Sequence, residues 1–424
     1  MKESSVKCGD LAAMHAGFRI VVVGLALAAG CGRQSGGAGP LPAVPGVRAQ
    51  PSNGSVAKAY GFLRFMMDRY AKGATIRLVQ SFDGGPLRHF TDAVTYDDAL
   101  FVDAMLAQGT GDGVSRSKIV GNAFLFVQAH DPAGDGRLRA SYAPRPLKGP
   151  KDVEIDDGSS DAGNMAWVGQ ALVQLYARTG DAAYLRGATA IAAWLSRNAY
   201  DTRGSGGYTG GYTARGKMIE WKSTEHNVDI YAFFKMLASR TGERRWDASA
   251  RWAQRFVASM WDARDGRFYV GTGNDGVTPN KSFRPEDVNS WSYLAFENPR
   301  WAAAPSWDVT HLAVREGGFR GVSFCSGDRS GVWFEGTAHL AGALKLRAAR
   351  GDRSQAQTYL ADIAYAQQNG LNADGRGIIA ASKNGLSDCD GDKYFASLHV
   401  GATAWYALAS GGFDPFLPLP LPLP

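Results

Sequence analysis

The sequence predicts an all-α toroid, (α/α)6, in which helical hairpins build an inner and an outer ring. Three observations lead there. The connectors Thr179-Gly180-Asp181, Thr241-Gly242-Glu243 and Arg350-Gly351-Asp352 each separate two Ala-rich periodic runs. A Gly just past a helix end takes the left-handed cap, and an acid then opens the next helix, so each connector reads as an αα-hairpin turn. Helices of one set recur roughly every 60 residues, a spacing that marks a repeat architecture. Finally, connectors inside hairpins are very short, while those between hairpins are long.

In chain order, the expected inner helices are Ala93–Gln108, Gly163–Arg178, Thr224–Ser239, Asp287–Glu297, Val332–Ala349 and Tyr394–Ser410. Their partners lie near 114–130, 182–198, 244–261, 303–315 and 353–368. Val56–Lys72 has the right length and lacks a hairpin mate, so it should pack beside the last inner helix and close the ring. Strand signals are sparse: Thr75–Val79 and a hairpin around Arg267–Gly271. The long connectors 131–162, 199–223, 262–286, 316–330 and 370–393 all lead into inner helices. They therefore fall on one rim, where loops on a rigid scaffold tend to carry function.

The ends of the chain read differently. Arg19 precedes the apolar run Ile20–Ala29, too short to span a bilayer, followed by Gly30-Cys31. Small residues before a Cys resemble a bacterial lipobox, so residues 1–31 are expected to be a signal peptide with lipid on Cys31. Met1 and Met14 are both candidate start sites. Residues 32–53 read as a flexible tether, 54–416 as one large catalytic domain, and 417–424 as an extended Leu-Pro tail. The expected location is the cell envelope, as an outer-membrane lipoprotein facing the periplasm, with the membrane touched only through that lipid. The net charge of +6 comes without a concentrated basic run, which argues against nucleic-acid binding. A monomer is expected.

The inner helices open with an unusual set of residues: Tyr96-Asp97-Asp98, Asn164 with Trp167, Glu225-His226-Asn227 after Trp221, Asn289-Ser290-Trp291, Trp333-Phe334-Glu335, and His399 with Trp405. A helix buried on all sides needs a reason to carry charge. Capping is one such reason for any single acid. Several acids on one rim, each beside an aromatic or His residue, suit glycoside hydrolysis instead. There one protonated acid serves the leaving oxygen, and one carboxylate activates water or attacks the sugar.

The motifs Thr95-Tyr96-Asp97-Asp98-Ala99-Leu100, Trp221-Lys222-Ser223-Thr224-Glu225-His226-Asn227, Gly331-Val332-Trp333-Phe334-Glu335-Gly336-Thr337 and His399-Val400-Gly401-Ala402-Thr403-Ala404-Trp405 resemble the six-hairpin glycosidase superfamily, in particular its bacterial secreted and lipoprotein members. The resemblance spans roughly residues 55–416. It implies an (α/α)6 glycoside hydrolase, or a transglycosylase, acting on an envelope or exported polysaccharide, often with inversion.

From residue type and place, Glu225 is expected as general acid and Glu335 or Asp97 as base. Of the neighbours Asp97 and Asp98, only one can face the centre, and Asp97 is the choice. Gly336 should leave space for ligand. Tyr96, Asn164, Trp167, Trp221, His226, Asn227, Trp291, Trp333, His399 and Trp405 are the expected substrate-binding residues. Two other readings stay open: a polysaccharide lyase or sugar epimerase with Tyr96, His226 or His399 as base, and a non-catalytic glycan-binding lipoprotein. No cofactor or metal is expected. Asp388-Cys389-Asp390-Gly391-Asp392 lacks the Gly and Glu positions of a calcium loop, and His226, His311, His339 and His399 lack zinc spacing. In an oxidising compartment Cys325 and Cys389 should form a disulfide.

Overall fold

The structure, a computed structural model, describes residues 53–419. The signal segment with Cys31, the tether and residues 420–424 lie outside them. Among the described residues are twelve α-helices: α1 (Asn53–Asp68), α2 (Thr95–Ala107), α3 (Gly111–Ala129), α4 (Ala162–Thr179), α5 (Ala182–Asn198), α6 (Thr224–Thr241), α7 (Arg244–Ser259), α8 (Asp287–Phe296), α9 (Ala304–His311), α10 (Phe334–Arg347), α11 (Asp352–Asn369) and α12 (Val400–Gly411).

The even-numbered helices pack side by side in the order α2, α4, α6, α8, α10, α12 and back to α2, a closed inner ring. Each odd-numbered helix from α3 to α11 backs its hairpin mate, and α1 packs on α12. Burial follows from this placement. Every residue of α2 from Thr95 to Leu106 is buried, as is every residue of α12 from Val400 to Ala409. An outer helix buries one stripe: in α7, Trp246, Ala250, Ala253, Phe256 and Val257, the spacing of a single helical face.

Two of the three connectors work as expected. Gly180 (φ 71°) and Gly242 (φ 69°) cap α4 and α6 in the left-handed region, and Asp181 Oδ1 accepts the Ala183 amide at 2.9 Å. The third is built otherwise. Ala348 (φ 52°) takes the left-handed position after α10, and Gly351 is the N-cap of α11. Asp352 is engaged by Arg347 at 2.7 and 2.8 Å.

Other boundaries differ from expectation as well. α9 ends at His311, and Ala313–Glu316 pairs with Phe319–Val322 as a hairpin where helix and loop were expected. Thr75–Val79 is not a strand; buried Arg77 holds this segment to the carbonyl of Met67 and the carboxylate of Asp68. The last inner helix starts at Val400 rather than Tyr394. Leu398–His399 is instead the middle strand between Phe82–Asp83 and Ile378–Ile379, which ties the start of the toroid to its end. Around Arg267–Gly271 there are two small pairings, Trp261–Asp262 with Arg267–Phe268 and Gly271–Thr272 with Pro279–Asn280.

The Leu-Pro segment is also corrected in part. Phe416 is buried, with its ring 5.1 Å from Trp167 and 5.6 Å from Trp291. Gln174 fixes the next turn, donating to the Leu417 carbonyl at 2.8 Å and accepting the Leu419 amide at 2.7 Å. Residues 416–419 thus close the end of the ring toward which the inner helices run. Phe416→Ala is expected to destabilise the fold by about 3 kcal/mol, the usual cost of a buried Phe, read by urea unfolding. A loss under about 0.5 kcal/mol, typical of a surface position, would show that the segment does not seat there.

Candidate active site

The inner-helix N-termini surround a partly open cavity. Tyr96 reaches it from α2; Gly163, Asn164 and Trp167 from α4; Glu225 and His226 from α6; Asp287 and Trp291 from α8; and Glu335 and His339 from α10. Trp333, Phe324, Asp388 and Tyr394 arrive from the loops. Local folding explains the positions. Ser223 caps α6 by accepting the His226 amide, which sets Glu225 and His226 on the first turn. His399 occupies the N-cap of α12, its Nδ1 lying 3.3 Å from the Ala402 amide.

Glu335 sits at the centre of a chain of acids and imidazoles. Its Oε1 accepts the Tyr96 hydroxyl at 2.7 Å and lies 3.7 Å from His339 Nε2, while Oε2 lies 3.4 Å from His399 Nδ1. The Tyr96 oxygen in turn accepts the Trp405 indole N–H at 2.9 Å. Beyond the imidazoles, Glu286 Oε2 is 3.2 Å from His339 Nδ1, and Asp97 Oδ1 is 3.1 Å from His399 Nε2.

Burial alone would raise the Glu335 pKa. The His339 imidazole 3.7 Å away, the charge of His399 and the Tyr96 hydroxyl outweigh it and hold the carboxyl below its usual value. Burial would likewise lower His339, but its bond to Glu286 and the nearby Glu335 carboxylate carry it up to about 9. Glu335 is therefore a carboxylate kept ionised in a buried setting. On the α6 side the balance reverses. Asp229, one turn beyond Glu225 on the same face, is pushed well above the ordinary carboxylate range by burial and by the charges of Glu225 and Asp287.

Eight of the residues expected at the site line the cavity: Tyr96, Asn164, Trp167, Glu225, His226, Trp291, Trp333 and Glu335. The other five stand behind it. Asp97 does not face the centre; it is fully buried against His399, and Asp98 accepts the Val79 amide at 2.8 Å. Of the two residues expected for the base role, Glu335 is the one at the cavity. His399 is buried and stacked on Phe82, with centroids 4.2 Å apart. Trp221 backs His226 at 5.6 Å, and Trp405 backs Tyr96. The Asn227 amide is spent on backbone, bonding Tyr208 in both directions and the Ser223 carbonyl at 2.8 Å. Gly336 leaves no room for ligand, because the Trp333 indole fills that space.

The sequence reading missed Asp287, His339, Phe324, Asp388 and Tyr394. His339 had a signal, since it falls four residues after Glu335 and so on the same helical face. Phe324 and Asp388 adjoin Cys325 and Cys389, which are bonded with Cα atoms 6.3 Å apart. Among the described residues, no cluster of His, Cys, Asp and Glu has the arrangement to hold a metal ion.

No protein-family model and no curated protein matches the sequence. Solved structures do. A cellobiose 2-epimerase from Bacillus thermoamylovorans superposes with a TM-score of 0.63 at 8% identity, covering 84% of this chain and 99% of its own. A D-mannose isomerase superposes at 0.60 with 11% identity, over 84% of this chain and 95% of its own. A family 76 glycoside hydrolase, a mannosidase from Bacteroides thetaiotaomicron, gives 0.58 with 11% identity, over 85% and 97%. The likeness is one of fold. These structures share the ring of helical hairpins that builds this chain's (α/α)6 toroid.

Proposed function

We propose that the chain is a glycoside hydrolase acting on an envelope or exported polysaccharide. The observation that carries this reading is the pair Glu225 and Glu335, two carboxyl side chains from different inner helices lining one cavity. Glu335, held ionised by its imidazole and tyrosine neighbours, activates water against the anomeric carbon. Glu225, part-exposed and set beside further carboxyls, gives its proton to the leaving oxygen. That division of labour is what glycosidic cleavage requires, and we assign inversion to it. Trp167, Trp291 and Trp333 offer the apolar surface that a pyranose face covers.

A second reading, sugar epimerisation or isomerisation, draws on His339 at the cavity and on the names of two of the similar structures. It has less support among the imidazoles other than His226, which lines the cavity, because such a base must be neutral and open to the sugar. His339 is carried up to about 9 and so stays protonated at neutral pH, while His399 is fully buried. The test is a screen of purified protein against periplasmic glucans and exopolysaccharides, with products followed by reducing-end release and by NMR. New reducing ends support hydrolysis; epimerised free sugar without cleavage overturns it. In the same proposal, lipid on Cys31 holds the enzyme at the outer membrane facing the periplasm. Cys31→Ala should then release it to the soluble fraction, and continued membrane association would count against the anchor.

A further inference from the structure

The cavity is walled all the way round. Every hairpin, or the loop leading into it, supplies lining, from Tyr96 on α2 to Asp388 and Tyr394 ahead of α12. An open groove needs a gap between two hairpins. Between the fifth and sixth, Phe324, Trp333 and Tyr394 instead pack their rings together, with centroids 4.6 to 5.5 Å apart. The Cys325–Cys389 bond ties the two loops there. Trp167 and Trp291, 5.3 Å apart, form the floor, and Phe416 packs on both from the far end of the ring. All the lining residues are buried except Glu225, which is part-exposed. Glu225 therefore marks the mouth, whereas Glu335, 2% exposed, lies deep.

A second, independent observation points to a polar ring in the enclosed space. The Nδ2 of Asn164 and the indole N–H groups of Trp291 and Trp333 have no hydrogen-bond partner among the described residues, and all three side chains are more than nine-tenths buried. Buried donors without acceptors are costly, and each is on a residue lining the cavity. The hydroxyl and ring oxygens of a single sugar supply such acceptors.

We infer that the chain is exo-acting: the cavity takes one pyranose, the non-reducing terminal residue of a glycan, and releases it as a monosaccharide. This rests on the glycosidase reading of the same site. In that reaction the water oxygen bonds to the anomeric carbon as Glu335 takes a water proton. The bond from that carbon to the glycosidic oxygen breaks as Glu225 gives the oxygen its proton. The leaving oxygen is thus on the Glu225 side, so the rest of the glycan extends out through the mouth. The ring that is cleaved lies inward, over the floor of Trp167 and Trp291. A chain continuing beyond that ring would run into this floor or into the wall of Phe324, Trp333 and Tyr394. Such a clash rejects internal residues and substituted ends, the repulsive side of specificity.

Product analysis with the wild-type protein tests this. The probes are linear hexasaccharides of glucose, mannose and galactose in α and β linkage. Each is used plain and with a 4,6-O-benzylidene acetal on its non-reducing terminal ring. From the first time point, chromatography with mass detection should find monosaccharide and pentasaccharide in equal amounts from a plain chain, and the blocked chain should lose all cleavage. Early di-, tri- or tetrasaccharide, or cleavage of a blocked chain, overturns the inference and leaves the hydrolase reading standing. Calorimetry on the same probes covers the opposite case. Binding of a plain chain but not of its blocked form, without cleavage, would sink the hydrolase reading and keep the one-ring, end-reading site. Equal binding of plain and blocked chains overturns the inference, and neither binding nor cleavage of any probe overturns both.

Discussion

Glu335→Gln is expected to lower kcat by about 10³-fold, within the 10²–10⁴ range of a positioned acid or base, with a smaller effect on KM. The side chain is isosteric, so the cavity keeps its shape, but the carboxylate that activates water is gone. Two imidazoles and a tyrosine hydroxyl then face a neutral amide in a buried site. Tyr96→Phe should act more gently and more informatively. It removes one of the groups holding the Glu335 pKa down, so that pKa rises. Since the carboxylate is the active form, the acidic limb of the kcat/KM profile must move to higher pH. An unchanged limb, or a limb moved to lower pH, would show that Glu335 does not titrate as the base.

Breaking the Cys325–Cys389 bond should have the second largest effect. The bond closes a loop of 64 residues, and removing a native disulfide in such a loop costs about 2–4 kcal/mol. It also joins two loops that each send a residue into the cavity, Phe324 beside one cysteine and Asp388 beside the other. Other contacts between the two loops are the Ser387 amide donating to Asp328 at 2.9 Å and the Phe324 ring packed 5.5 Å from that of Tyr394. The double variant Cys325→Ser/Cys389→Ser should therefore lose stability on thermal unfolding and show a raised KM with kcat less changed. Treating the wild-type protein with a thiol reductant should reproduce both effects. A variant with normal stability and normal KM would mean that packing alone holds these loops.

The ring of hairpins was legible because its signals are local. A left-handed Gly after Thr179 or Thr241 and a recurring apolar run need no long-range information. The errors arise where distant segments meet. Nothing near Leu398 announces that it will pair with both Phe82–Asp83 and Ile378–Ile379, so the helix was begun too early. Phe416 looks like the start of a tail until the open end of the ring, lined by Trp167 and Trp291, is there to receive it.

The site divides the same way. Residues on first turns of inner helices, such as Tyr96, Glu225 and Glu335, were found because their place in each repeat is the same. Orientation was harder: Asp97 shares its turn with Tyr96, but neighbouring helical residues diverge by about 100°, and Asp97 turns to His399. Asp388 and Phe324 come from long loops, where no period exists to read. His339 lay in view four residues after Glu335, yet as one histidine among several it was weighed only as a metal ligand.

The most direct measurement compares a natural glycan with the corresponding glycosyl fluoride, whose leaving group needs no proton. Glu225→Gln should lose about 10²–10⁴-fold on the glycan but stay within about tenfold of wild type on the fluoride. Glu335→Gln should lose activity on both. If Glu225→Gln cleaves the glycan at the wild-type rate, or fails equally on the fluoride, Glu225 is not the proton donor and the paired-carboxylate account is wrong.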